Sequence, residues 1–145
     1  MNELSKELNS FLADLAVFYR KLQNYHWNII GKDFFVLHAK LEEYYNEINE
    51  QIDEIAEHIF ILGKQPLGTM NDYLEITSIQ EAKNEKIEDK QMLTKIIADF
   101  ETLLQKAIQI KELAEEKKSY NTSSLMDNYI TDYSKKLWML KQSIE

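Results

Sequence analysis

Leu4, Leu8, Phe11, Leu15, Phe18, Leu22, Tyr25 and Ile29 recur at steps of three and four, with mostly polar residues between them. That spacing lays an apolar stripe along one face of a helix. It predicts a first helix from about Asn2 to Ile30, closed by Gly31. A second stripe, Leu37, Leu41, Tyr44, Ile48, Ile52, Ile55, Ile59 and Leu62, predicts a helix with Asp33 as its N-cap and Gly63 as its stop. The third stripe is Leu93, Ile97, Phe100, Leu104, Ala107, Ile110 and Ala114. It frays into residues 117–124, where Asn121 to Ser124 offer caps. The fourth is Leu125, Tyr129, Tyr133, Leu137, Leu140 and Ile144. Between the second and third lies a polar connection from Gly63 to about Glu88, with a short helix expected at Asn71 to Thr77. A crossover this long lets the third helix run parallel to the second. No strand and no repeat is expected. The pattern is all-α, a four-helix bundle with a long crossover, in one domain over residues 1–145.

Composition narrows the class. The three glycines and one proline are too few for a loop-rich sandwich or barrel, and the absence of cysteine excludes a disulfide framework, a thiolate metal site and a cysteine nucleophile. No apolar run approaches the length of a membrane span. The segment Met1–Ser10 lacks the basic and apolar regions of a signal peptide, so a cytoplasmic location is expected. Lys and Arg number 17 against 25 Asp and Glu, a formal charge of −8. The pairs Lys117-Lys118 and Lys135-Lys136 are diluted by Glu115, Glu116 and Asp132 and read as solvated helix ends.

With no glycine-flanked serine and no glycine-rich phosphate loop, the chemistry left is histidine and carboxylate on helices, which in a bundle points to metal. The Glu-x-x-His template of di-iron bundles is absent: Gln23, Phe35 and Ile55 precede His26, His38 and His58 by three. Other pairs remain. Asp53 and Glu57 lie one turn apart on one face of the second helix, as do His38 and Glu42. A lone histidine is more often a surface or capping residue, and an acidic run such as Glu50, Asp53, Glu54, Glu57 is more often a solvated face. Fifteen residues along one unbroken helix place His38 and Asp53 about 22 Å apart, so they cannot share a metal within one chain. Two copies of this helix packed antiparallel about a two-fold axis would bring them together, twice over.

The segment Tyr25-His26-Trp27-Asn28, then Gly31, Phe34-Phe35 and Leu37-His38, followed by Asp53-Glu54-Ile55-Ala56-Glu57, closely resembles the signature of the Dps family, the bacterial mini-ferritins (DNA-binding proteins from starved cells). The resemblance extends through the crossover to Leu137-Trp138-Met139-Leu140. It implies a ferritin-like bundle assembled into a hollow dodecamer. Its iron ligands would be His26 and His38 of one subunit with Asp53 and Glu57 of the two-fold mate, and Glu42 would be a weak or outer ligand. Trp27 falls beside the site, and His58 stands where relatives usually have arginine. The implied activity is a ferroxidase: Fe(II) oxidised at the two-fold interface, preferably by hydrogen peroxide, and ferric mineral stored inside, which protects against oxidative stress. Carboxylate and imidazole donors suit the Fe(III) product, and zinc could take the same ligands. The alternative is a nucleoid or surface-associated shell with idle or zinc-occupied sites.

Two departures from the family stand out. Where relatives line an iron pore with acids, near the start of the last helix, this chain has Tyr120, Asn121, Ser123 and Ser124, with Asp127 the nearest acid. DNA-binding relatives usually carry a basic tail; here the N-terminal segment offers only Lys6, and the chain ends Lys141-Gln142-Ser143-Ile144-Glu145. An acidic shell without a basic tail argues against direct DNA binding. At neutral pH and moderate salt the metal-free protein is therefore expected not to retard duplex DNA in a gel. A salt-sensitive shift by metal-free protein would contradict this, and a shift only with added Fe(II) would reveal metal bridging.

Overall fold

The computed structural model describes residues 2–144 and is built from five helices: α1 (Asn2–Asn28), α2 (Phe34–Ile61), α3 (Met70–Ile76), α4 (Asp89–Glu116) and α5 (Tyr120–Gln142). The four long helices make the bundle that the four stripes predict. α3 is the expected short crossover helix, with Thr69 as its N-cap accepting from the Asp72 N–H at 3.2 Å. Leu8, Phe11, Phe18, Ile48, Ile55, Phe100, Leu103 and Tyr133 are the kind of residue that fills the centre, all fully or almost fully buried.

The expectation of no strand fails. Ile29–Ile30 (β1) pairs in parallel with Ile87–Glu88 (β2), in the register Ile29 with Ile87 and Ile30 with Glu88. Two residues are too few to alternate visibly, and the pairing depends on a partner almost sixty positions away. α1 accordingly ends at Asn28, and Gly31 serves the following turn at φ +139°. A Cβ there would collide with the carboxylate of Asp89, the first residue of α4. The parallel pair ties the start of α4 to the end of α1, so α4 descends beside α1 and runs parallel to α2, as the crossover length implies.

Other ends also differ from expectation. Asp33 occupies the N-cap position of α2, but its side chain makes no capping bond. α5 begins at Tyr120, so Asn121 to Ser124 lie in its first turn and do not precede it. α4 does not fray. It closes in a six-to-one turn, with the Ser119 N–H on the Ala114 carbonyl at 2.8 Å and the Lys118 N–H on Glu115 at 3.1 Å. α2 ends the same way, with the Lys64 N–H on Ile59 at 3.1 Å and the Gly63 N–H on Phe60 at 2.9 Å. The turn needs a left-handed residue. α2 supplies Gly63 at φ +80°, whereas α4 supplies Lys118 at φ +60°.

Every residue from Phe11 to Phe18 is buried, because the crossover covers the side of α1 that α2 and α4 leave open. That burial includes the charge of Asp14, which must be neutralised and hydrogen-bonded to be tolerated. Asp14 accepts from Thr77 Oγ1 and the Ser78 N–H at 2.8 Å each and from Ser78 Oγ at 3.0 Å, and Lys106 Nζ of α4 lies 3.2 Å away. A second buried pair, Lys21 with Asp99 at 2.8 Å, joins α1 to α4 one layer higher. Burial pushes the Asp99 carboxyl up, against the pull of Lys21.

Two substitutions test the turn chemistry. Lys118→Gly is expected to stabilise the protein by about 1 kcal/mol, by removing the Cβ strain of a left-handed residue. Gly31→Ala is expected to destabilise it, through the collision with Asp89. Urea midpoints measured beside the parent protein check both; a neutral or destabilising Lys118→Gly would contradict the strain assigned to that turn.

Candidate metal centre

The α1–α2 reversal brings His26, at the end of α1, against His38, in the second turn of α2. Their rings stack with centroids 3.7 Å apart and planes 11° apart. Nδ1 of each ring lies 2.7 Å from the main-chain carbonyl oxygen of the other histidine. A carbonyl can only accept, so each Nδ1 must carry the hydrogen. In the neutral ring that leaves Nε2 with its lone pair, the form that binds a metal ion. The reciprocal bonds therefore fix both position and tautomer. Phe34 lies along His38, with centroids 5.0 Å apart and planes 21° apart, and Tyr45 meets His26 edge-on at 5.4 Å. Glu42 Oε1 stands 3.8 Å from His26 Nε2, close enough for the weak or outer role considered for it.

Asp53 and Glu57 sit toward the other end of α2. Both are exposed, in a depression of about 420 Å³ that Glu50, Glu54, His58 and Leu125 also line. α2 is continuous between them and His38, so the separation of about 22 Å along its axis stands. The fold thus joins the two histidines and Glu42 but leaves Asp53 and Glu57 apart from them. Among the described residues of one chain, no three of the acids and histidines are placed to hold a metal ion. His26 is buried at 6% exposure, which removes the reading of it as a surface histidine.

The remaining residues singled out in the sequence fall as follows. Trp27 is 58% exposed and lines a groove of about 580 Å³ between α1 and the crossover, together with Met70 and Leu74. His58, given no role from sequence, is buried. Its Nε2 lies 2.8 Å from Thr122 Oγ1, which ties α2 to the start of α5, and burial pulls its pKa down against the nearby Glu54. Asp127 is held by Lys111 at 2.9 Å. Sequence reasoning missed Phe34 and Tyr45, the two aromatic supports of the histidine pair. Tyr45 was within reach, since it lies seven residues past His38 and shares its helical face.

A histidine pair where α1 meets the start of α2, a carboxylate pair toward the other end of α2, and a crossover-linked bundle define a ferritin-like protein. The comparisons agree with that class. The family model described as a ferritin-like domain matches residues 5–145. A DNA protection during starvation protein of Bacillus anthracis is 41% identical over 92% of this chain and 91% of its own. The crystal structure of a Vibrio cholerae Dps protein, described as a member of the ferritin-like diiron-carboxylate superfamily, superposes with a TM-score of 0.96. It is 38% identical over 99% of this chain and 90% of that one. A zinc-soaked Dps from Listeria innocua superposes at 0.94, with 30% identity over 97% of this chain and 95% of that one. The chain belongs to the Dps family of ferritin-like proteins.

Proposed function

We propose that this protein is an iron-detoxifying and iron-storing mini-ferritin, a ferroxidase that assembles as a dodecameric shell and uses hydrogen peroxide in preference to oxygen. The observation that carries the reading is the pair of histidines held by each other's carbonyls, with both Nε2 atoms kept as acceptors. In the proposed site, His26 and His38 of one subunit face Asp53 and Glu57 of its two-fold mate, with Glu42 as an outer carboxylate. A two-fold axis across antiparallel α2 helices produces that combination twice per dimer.

These residues suit Fe(II) as a substrate. Two neutral imidazoles and two carboxylates give an anionic donor set whose hard oxygens gain most when the ion becomes Fe(III), and few protein ligands leave positions for the oxidant. Two Fe(II) ions supply the electrons that take one hydrogen peroxide and two protons to two waters. Glu42 and Tyr45 border His26, where they orient its ring and limit the space around it. Consumption of both Fe(II) and peroxide is what would relieve oxidative stress in the cytoplasm. None of the described helices is long and apolar enough to cross a membrane. Zinc is the second reading, favoured by the donor set itself; it would occupy the same ligands without turnover.

The test uses defects on separate chains. A His26→Ala/His38→Ala chain and an Asp53→Ala/Glu57→Ala chain are each expected to form inactive shells. In a mixed dimer one site has all four ligands and the other has none. Random one-to-one assembly therefore restores about a quarter of the parent's sites, read as peroxide-driven Fe(II) oxidation. No recovery in shells verified to be mixed would overturn the divided site. Full assembly with no oxidation by the parent protein would favour the zinc-occupied or idle shell.

A further inference from the structure

Outside the metal centre, a recess of about 190 Å³ opens where the end of α1, the later part of the crossover and the first turns of α4 meet. Lys21 and Tyr25 of α1, Lys83 and Lys86 of the crossover, and Lys95 of α4 line it. Four of the 17 cationic residues of an acidic chain therefore share one small space. Lys21 is buried and held by Asp99 at 2.8 Å. Lys83, Lys86 and Lys95 form no ion pair among the described residues. Tyr25 adds a second, independent sign. It is 3% exposed, and its hydroxyl has no hydrogen-bond partner among the described residues, whereas the buried Tyr129 and Tyr133 donate to Glu54 and Gln51. A buried polar group is normally paired, and the space open to this one is the recess.

From this arrangement we propose that the recess binds a small tetrahedral oxyanion, free inorganic phosphate, between the Tyr25 hydroxyl and the ammonium groups of Lys83, Lys86 and Lys95. The chemistry of the lining selects an anion. Each lysine brings three donor hydrogens and no acceptor, and a phenol keeps its hydrogen at neutral pH. A phosphate dianion presents four oxygens and two charges to that set. Lysine meets phosphate as a point charge, so the three ammonium groups need no planar alignment with it. The same charges repel metal ions, which sets the recess apart from the acidic depressions along α2. Its volume holds one oxyanion with a few waters, at about 30 Å³ for each water, and leaves no room for a nucleoside. Glu81 and Glu85 also line the recess and would repel a long polyanion lying across it.

Binding there has a structural consequence. The anion bridges three segments that are far apart in sequence: α1 through Tyr25, the crossover through Lys83 and Lys86, and α4 through Lys95. Ile87, the β2 residue paired with Ile29, lines the same recess, so the bridge lies beside the strand pair that closes the α1–α2 reversal. A ligand held only by the folded arrangement stabilises it by mass action. Phosphate would therefore fasten the later part of the crossover, as Asp14 fastens the Thr77–Ser78 turn.

The site takes no part in the proposed iron chemistry, so it is tested on intact, metal-free protein. Inorganic phosphate is titrated calorimetrically at constant ionic strength into the parent, Tyr25→Phe, Lys86→Gln/Lys95→Gln and Lys90→Gln, each first checked for fold by circular dichroism. Lys90 is an exposed lysine of α4 that does not line the recess. Saturable binding of one phosphate per chain is expected in the parent and in Lys90→Gln. Tyr25→Phe is expected to weaken it about tenfold, the loss of one hydrogen bond to a charged group, and the double lysine variant by at least as much. Phosphate is also expected to raise the Tm of the parent above its value in chloride at the same ionic strength, and to leave that of the double variant unchanged. No saturable binding by the parent, or equal losses in Lys90→Gln, would overturn the site. A nucleoside monophosphate in a parallel titration separates the free anion from a phosphate ester: weaker binding than inorganic phosphate is expected, and equal or tighter binding would overturn the assignment to the free anion.

Discussion

The separation of the histidine pair from the carboxylate pair depends on the stiffness of one helix. α2 runs unbroken from Phe34 to Ile61, and a continuous backbone ladder does not let its ends approach. His38 and Asp53 are therefore held apart by about 22 Å however the loops move. A flexible connection between them would leave a one-chain metal site possible; a rod does not. The rest of the proposed function follows from that constraint, since the ligand halves can be combined only by a second copy with α2 reversed. The reciprocal His26–His38 bonds order both rings, in one tautomer, within a single chain.

Precision at the half-site depends on how the chain reversal after α1 is held. The β1–β2 pair and the close approach of Asp89 to Gly31 join that reversal to the start of α4. Asp14, Lys106 and the Thr77–Ser78 turn fasten the crossover to α1 lower down. Of these, the Asp14 contacts hold a fully buried charge, so their net stabilisation is modest, while removing the partner of such a charge costs about 3–5 kcal/mol. Their effect is to fix one arrangement of crossover and bundle. The apolar stripes alone would tolerate several.

What could be read from the sequence divides along the same line. The four long helices were legible because each repeats its apolar residues over many turns, and the crossover helix because it follows the breakers Gly63, Pro66 and Gly68. The ligand candidates were legible through spacing: His38 with Glu42, Asp53 with Glu57, and the rise between the pairs. Illegible were features set by distant or single contacts. The parallel pairing of Ile29–Ile30 with Ile87–Glu88 has no local signal. The turn at Lys118 hides behind a residue that does not advertise positive φ, which is why α4 reads as frayed and α5 as starting five residues late. The burial of Asp14 appears in the sequence only as a polar interruption of α1, because the crossover that covers it lies more than sixty positions away.

The central claim, a metal site divided between two copies, is tested most directly by diffraction from metal-loaded crystals at the absorption edge of the bound ion. Anomalous density is expected within bonding distance of Nε2 of His26 or His38 from one chain and of Asp53 or Glu57 from a two-fold related chain. Density coordinated by residues of a single chain, or placed away from both histidines, would contradict it.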